Sequence, residues 1–241
     1  MIQINGVSIF GNISGSNIQI IGNRILGGEA AGKKQTIDDK REIDSSNVEK
    51  MSINSIFADV RIVPSDSNKI EVWCHGEAEI SGVINFDVQT VENLLKVILE
   101  FNGDFWWYQG TIRLDITVPK KLFKKISFES KSSDLTVENG VLAEVIKADT
   151  MSGDVEIAFS SNEIEVSTQS GDVDLEVNAT SDVRAKVSTM SGDVTACFNN
   201  IGQLNLSTKT MSGDVENHHK ARNGYTANVN ITTMSGDIDI E

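Results

Sequence analysis

Apolar and polar residues alternate with a period of two along most of this chain, and the alternation is interrupted at regular intervals by the same short polar phrase. Val155, Ile157 and Phe159 form one alternating set and Ile164 and Val166 the next. Val173, Leu175 and Val177 repeat the first; Val183, Ala185 and Val187 repeat the second; Leu204 and Leu206, then Val229 and Ile231, continue the series. A period of two marks strands buried on one face, so the pattern predicts short strands throughout and no helices. The interrupting phrase is Thr-(Met/Gln)-Ser-Gly-Asp-(Val/Ile), at residues 150–155, 168–173, 189–194, 210–215 and 233–238. A degenerate copy occupies 130–135, and 55–60 reads as a more distant one.

Measured between its aspartates (Asp134, Asp154, Asp172, Asp193, Asp214 and Asp237), the phrase recurs after 20, 18, 21, 21 and 23 residues. A unit of that size cannot bury its own apolar face, so successive copies must stack and share one interior. The expected fold is all-β, a right-handed parallel β-helix or β-solenoid with coils of about 21 residues, its copies lying one over the next in sequence order. Each Ser-Gly-Asp reads as a corner. There Gly153, Gly171, Gly192, Gly213 and Gly236 supply backbone freedom, and the serines and aspartates (Asp154, Asp172, Asp193, Asp214, Asp237, with Asp134 upstream) bond nearby amides.

Upstream the strands are longer. Residues 94–101 and 111–118 flank a loop with Gly103 and Gly110 and read as a hairpin (94–118), with further strands at 69–74 and 83–88. The chain divides into a β arm (1–26), a Gly-rich then charged linker (27–46), an N-terminal β region of the solenoid (47–130) and the Ser-Gly-Asp repeats (131–241).

Composition narrows the function. Apolar residues make up 39% and prolines number only 2, which places the chain among folded proteins. The net charge of −14 is concentrated downstream, with 14 Lys+Arg against 16 Asp+Glu over residues 1–128 and 7 against 19 over 129–241. Such a surface repels phosphate, which argues against nucleic acid and anionic lipid as partners. The first residues lack the basic stretch and apolar core of a secretory signal, and nothing approaches a bilayer-spanning apolar run, so no transmembrane segment is expected and the default address is cytoplasmic.

The order strand, Val-Pro, Lys-rich turn, strand, Ser-Ser-Asp, strand over 112–137, followed by the Ser-Gly-Asp-Val repeats, resembles the DUF4097 family of bacterial β-strand-repeat proteins, often named as candidate adhesins. The resemblance spans residues 48–241. It implies a β-helix-like fold and a surface or envelope role, with no established catalytic residues.

Candidate chemistry is sparse. Stacked corner aspartates would lie close together, yet identical residues in every coil are what a corner demands, whereas catalysis needs one coil unlike the rest. Calcium-binding rolls carry a shorter, more Gly-rich repeat, so no metal is assigned. Met151, Met190, Met211 and Met234 form a further column, expected to pack between coils, or to give an apolar stripe if turned outward. Cys74 and Cys197 read as small buried hydrophobes. His218 and His219 fall in the longest interval and read as a surface loop.

Phe105, Trp106, Trp107 and Tyr108 cluster four aromatics off the repeat, suited either to capping the solenoid or to stacking on a ligand. Nothing follows the last strand to cover it, so a second copy or the N-terminal arm is expected to close that end. The reading is a non-enzymatic, adhesin-like binding or assembly module with no catalytic residues and no cofactor, its ligand a glycan or a protein. The alternative is a polysaccharide-active β-helix hydrolase or lyase. Such enzymes on acidic glycans need cationic groove residues, of which the repeats have few.

Overall fold

The structure, a computed structural model, describes residues 2–4, 7–9, 19–21, 24–26, 33–80, 82–102, 108–220 and 223–241. It divides into two compact units, 1–32 and 33–241. In the first, β1 (Ile2–Ile4) pairs antiparallel with β2 (Val7–Ile9), and β3 (Gln19–Ile21) with β4 (Arg24–Leu26).

The second unit is the solenoid. Its strands are β5 (Lys33–Asp44), β6 (Lys50–Ser55), β7 (Asp59–Ser65), β8 (Lys69–Ile80), β9 (Val83–Val91), β10 (Leu94–Asn102), β11 (Tyr108–Pro119), β12 (Leu122–Ser132) and β13 (Leu135–Val137). There follow β14 (Leu142–Ser152), β15 (Val155–Ser170), β16 (Val173–Asn178), β17 (Val183–Ser191), β18 (Val194–Asn199), β19 (Ile201–Lys209), β20 (Val215–Asn217), β21 (Tyr225–Thr232) and β22 (Ile238–Ile240). Their pairings build two sheets. One runs β5-β8-β11-β7-β13-β15-β16-β18-β22-β20. The other runs β9-β10-β6-β12-β14-β15-β17-β21-β19. Strand β15 is long enough to contribute its first half to one sheet and its second half to the other.

The inward residues of both sheets form one continuous interior. Ile53, Phe128, Ala148, Val166, Val187 and Ile231 stack in register across one sheet. Ile62, Val137, Ile157, Leu175, Ala196 and Ile240 do so across the other. All are buried, so the shared core expected of short stacked units is present.

The coils do not follow sequence order at either end. Strands β6 and β7 lie inside their sheets, between β10 and β12 and between β11 and β13, so the chain lays down an inner coil and then builds outward on both sides of it. At the other end β21 enters between β17 and β19, and β22 between β18 and β20. The threonine column therefore runs Thr150, Thr168, Thr189, Thr233, Thr210. This corrects the expectation that the last strand is the uncovered one. β22 is paired on both sides, and the outermost strands are β19 and β20.

Two upstream expectations are also corrected. Residues 94–118 are not a hairpin. β10 pairs with β9 and β11 with β8, in different sheets, so the ribbon folds back at Glu92–Asn93, where Glu92 takes φ 56. Gly110, read as a turn residue, lies within β11 at φ +150, where a Cβ would meet the Glu77 carbonyl at 2.3 Å. It marks close approach of two strands. Nor is all of 27–46 a linker, because 33–44 forms β5 along the outer edge of β8. Ile37 and Ile43 pack on the core while charges along the strand pair across to β8, Lys34 with Glu77, Lys40 with Glu71 and Glu42 with Lys69. A charged edge strand is a common guard against unwanted pairing.

Candidate functional site

The corners are assembled by the same contact in each coil that carries a copy of the phrase. The backbone N–H of Asp154 donates to Oδ1 of Asp134 at 2.9 Å, that of Asp172 to Asp154 at 2.9 Å and that of Asp193 to Asp172 at 2.8 Å. The ladder continues from Asp237 to Asp193 and from Asp214 to Asp237, each at 2.8 Å. It begins at Asp59, which accepts from Asp134 N–H at 3.3 Å and belongs to the distant copy at 55–60. Each carboxylate here except that of Asp214, which ends the ladder, satisfies an amide of the adjoining coil, and a charged acceptor makes such a bond stronger than a neutral one. Gly153, Gly192, Gly213 and Gly236 occupy positions equivalent to Gly171, each with positive φ.

The methionines face solvent. Met151, Met190, Met234 and Met211 stand on the outside of the corner beside the serines, the last three around a shallow groove also lined by Gln169. The expectation that they pack between coils is corrected: the preceding threonines, Thr150, Thr168, Thr189 and Thr233, take the inward direction instead. Mild peroxide should accordingly oxidise these four methionines while sparing Met51, which is 1% exposed, and should leave the melting temperature within about a degree of the untreated protein. Peptide mass spectrometry checks this. Protection of Met190 or Met234 would mean that the column is covered.

Cys74 points into the core, where burial and then the nearby Asp39 carboxylate push its thiol up to about 12, so it is no nucleophile. Cys197 lies in β18, six strands away in the same sheet. At ordinary strand spacing that is roughly 29 Å, far beyond disulfide reach. His218 is exposed, with Nε2 3.0 Å from Oε2 of Glu216 and 3.9 Å from Oδ1 of Asp239. Among the described residues no group of three His, Cys, Asp or Glu side chains is arranged to hold a metal.

The coils nearest β5 differ from the rest in two places that the sequence did not single out. On the outer face, Trp73 stacks on His75 with ring centroids 3.9 Å apart and donates its indole N–H to Asp38 at 2.8 Å. His75 Nε2 lies 2.8 Å from Oδ2 of Asp115. One strand over, Arg61 pairs with Glu138. Residues 73 and 75 share a face by strand alternation, but that Asp38 and Asp115 flank them depends on long-range pairing of β5 and β11 with β8.

At the corner side of the same coils lies a cavity of about 640 Å³, lined by Ile56, Phe57, Asp59, Phe101, Thr111 and Lys131 among others. Phe57 and Phe101 stack at 3.9 Å with an interplanar angle of 11°. The Asp59 carboxyl is held above its ordinary value, chiefly by burial and further by the Asp134 charge, against the lowering effect of the Asp134 N–H bond. Phe101 precedes, and Gly110 and Thr111 follow, the aromatic run singled out in the sequence. Phe105, Trp106 and Trp107 lie outside the described residues, as does the side chain of Tyr108, whose backbone begins β11.

Comparison with known proteins supports the architecture. A solved structure from Clostridium sporogenes, named as a candidate cell adhesion protein, shares 14% identity and superposes with a TM-score of 0.53, covering 86% of this chain and 99% of its own. One from Bacteroides fragilis, named as a candidate adhesin, shares 13% identity at a TM-score of 0.48, covering 85% and 97%. No curated protein matches the sequence. The Toastrack DUF4097 family matches residues 48–241, the stretch over which the sequence resemblance was drawn, and the chain belongs to that family.

Proposed function

We propose that this protein is a non-enzymatic, adhesin-like binding module in which the solenoid is a rigid scaffold and the cavity beside Phe57 and Phe101 holds a glycan. The observation that carries this reading is the cavity itself. At about 640 Å³ it falls within the size range of ligand sites, and it combines a stacked aromatic pair with a rim of Asp59, Lys131, Ser132 and Thr111. Sugar rings offer apolar faces to aromatics and hydroxyls to such a rim. The Trp106–Trp107 pair, a few residues beyond Phe101 in sequence, adds aromatic surface suited to the same chemistry.

Non-enzymatic action fits the repeats, whose carboxylates are engaged in bonding the next coil, and fits Cys74, which faces inward with a thiol too basic to attack. The adhesin-like assignment is consistent with the naming of structural relatives, and a surface or envelope location would follow from it. Among the described residues no helix is long and apolar enough to cross a membrane.

A glycan array probed with wild type, Trp106→Ala/Trp107→Ala and Lys131→Glu tests the reading. Wild type should bind a defined set of glycans, and both variants should lose at least about tenfold in affinity, the loss expected from removing one well-buried contact. Undiminished binding by both variants would remove the cavity from consideration, and no binding by wild type would remove the glycan.

A further inference from the structure

The two ends of the solenoid are finished differently. In the sheet that ends at β5, the edge strand carries 8 charged residues in 12 and pairs three of them across to β8. At the opposite end, β19 (Ile-Gly-Gln-Leu-Asn-Leu-Ser-Thr-Lys) carries 1 in 9 and, among the described residues, pairs only with β21, while β20 pairs only with β22. Leu204 and Leu206 stand in register over buried Ala227 and Val229, yet are themselves only half-buried, because among the described residues of the solenoid no further coil lies above them. Val215, over Ile238, is 43% exposed. A neutral, nine-residue edge strand above an uncovered apolar layer is a template for pairing.

Charge favours a second copy as the occupant. Residues 129–198 carry 4 Lys+Arg against 14 Asp+Glu, so most of the repeat surface repels itself, whereas 199–224 carry 3 against 2. The outermost coil is thus the one part of the acidic half that another copy can approach without a like-charge penalty. The strand is also self-complementary: run antiparallel to its own copy about its midpoint, it brings Leu204 and Leu206 against the same residues of the partner and leaves Gln203, Asn205 and Ser207 on the outer face.

Nine residues at about 3.3 Å rise, across two sheets and their side chains, give an end face of roughly 600 Å² per copy. The total of about 1,200 Å² reaches the lower end of stable interfaces. Head-to-tail stacking matches less well. β9, the other sheet's far edge, is nearly uncharged, but the same step would set Val215 and Glu216 against charged β5.

We infer that the protein forms a two-fold symmetric dimer, end to end, through antiparallel pairing of β19 with β19 of a second copy. The sheet that ends at β19 then continues across the two-fold, and the cavity near Phe57 lies at the far end of each protomer. The inference stands apart from the glycan reading.

Light scattering of the full chain at micromolar concentration should give twice the chain mass, and Leu204→Lys/Leu206→Lys should give the single-chain mass with an unchanged circular dichroism spectrum. Should the double variant fail to fold, Asn205→Cys in a Cys197→Ser background provides the second measurement. Asn205 is exposed at the strand midpoint, and mild oxidation should cross-link two copies through it. A wild-type monomer, an open-ended series of masses, or a dimer that survives both lysines in a folded protein would each overturn the inference, as would failure of the cysteine variant to cross-link.

Discussion

Replacing Gly171 by alanine should destabilise the protein by about 3–5 kcal/mol, while Ser170→Ala on the same corner changes stability by less than about 0.5 kcal/mol. Gly171 has φ +140, and a Cβ built there lies 2.2 Å from the Gly153 carbonyl oxygen and 2.7 Å from its carbon. Two penalties add: a side chain in a backbone region that L residues rarely adopt, and a backbone contact that can be relieved only by moving one coil away from the next. Moving the coil also stretches the Gly153 N–H to Ser170 carbonyl bond and the Asp172 N–H to Asp154 carboxylate bond, 3.0 and 2.9 Å long. Denaturant unfolding of the two variants beside wild type measures the difference. If Gly171→Ala were as mild as Ser170→Ala, the coils would not be in contact at their corners.

That corner explains why so much of the fold could be read from the sequence. Each coil must turn at a place where the coil below leaves no room for a side chain, so glycine recurs, and the aspartate after it recurs because it bonds the next amide up. A contact between like positions forces identity at like positions, and identity is visible in a sequence. The order of the coils is not forced in the same way. Thr233 fits over Thr189 as well as Thr210 would, since both carry the same phrase, and the return of β21 and β22 to the inside leaves only an indirect mark: the 23-residue interval from Asp214 to Asp237 that gives the chain length to step back.

The upstream strands are masked in the sequence for a similar reason. The two-residue turn at Glu92–Asn93 contains no glycine, whereas Gly110 sits mid-strand because β8 presses on it, so the glycines drew the turn to the wrong place. The charges of β5 look like a linker until β8 is beside them. The candidate site was partly legible: the aromatic run was visible, but Phe57, in the bend between β6 and β7, and Phe101, in β10, lie 44 residues apart, and nothing local in the sequence joins them.

Phe128→Ala should cost about 3–5 kcal/mol, the range for deleting a buried aromatic. Phe128 is 1% exposed and stands between Ile53 of β6 and Ala148 of β14 in the interior column. Ala148, its register partner on the neighbouring coil, is small and 0% exposed. The void left by truncation would lie beside a residue already too small to fill it, and the sheet pairing on both sides of β12 prevents the coils from closing together. The exchanged pair Phe128→Ala/Ala148→Phe restores the total volume one strand spacing away, so a double-mutant cycle reads whether the two positions share space. Recovery of a substantial part of the loss is expected if the column is a single interior with interchangeable layers. Additive losses would mean that each coil packs its own side chains independently, which is the behaviour of separate hairpins and not of a solenoid.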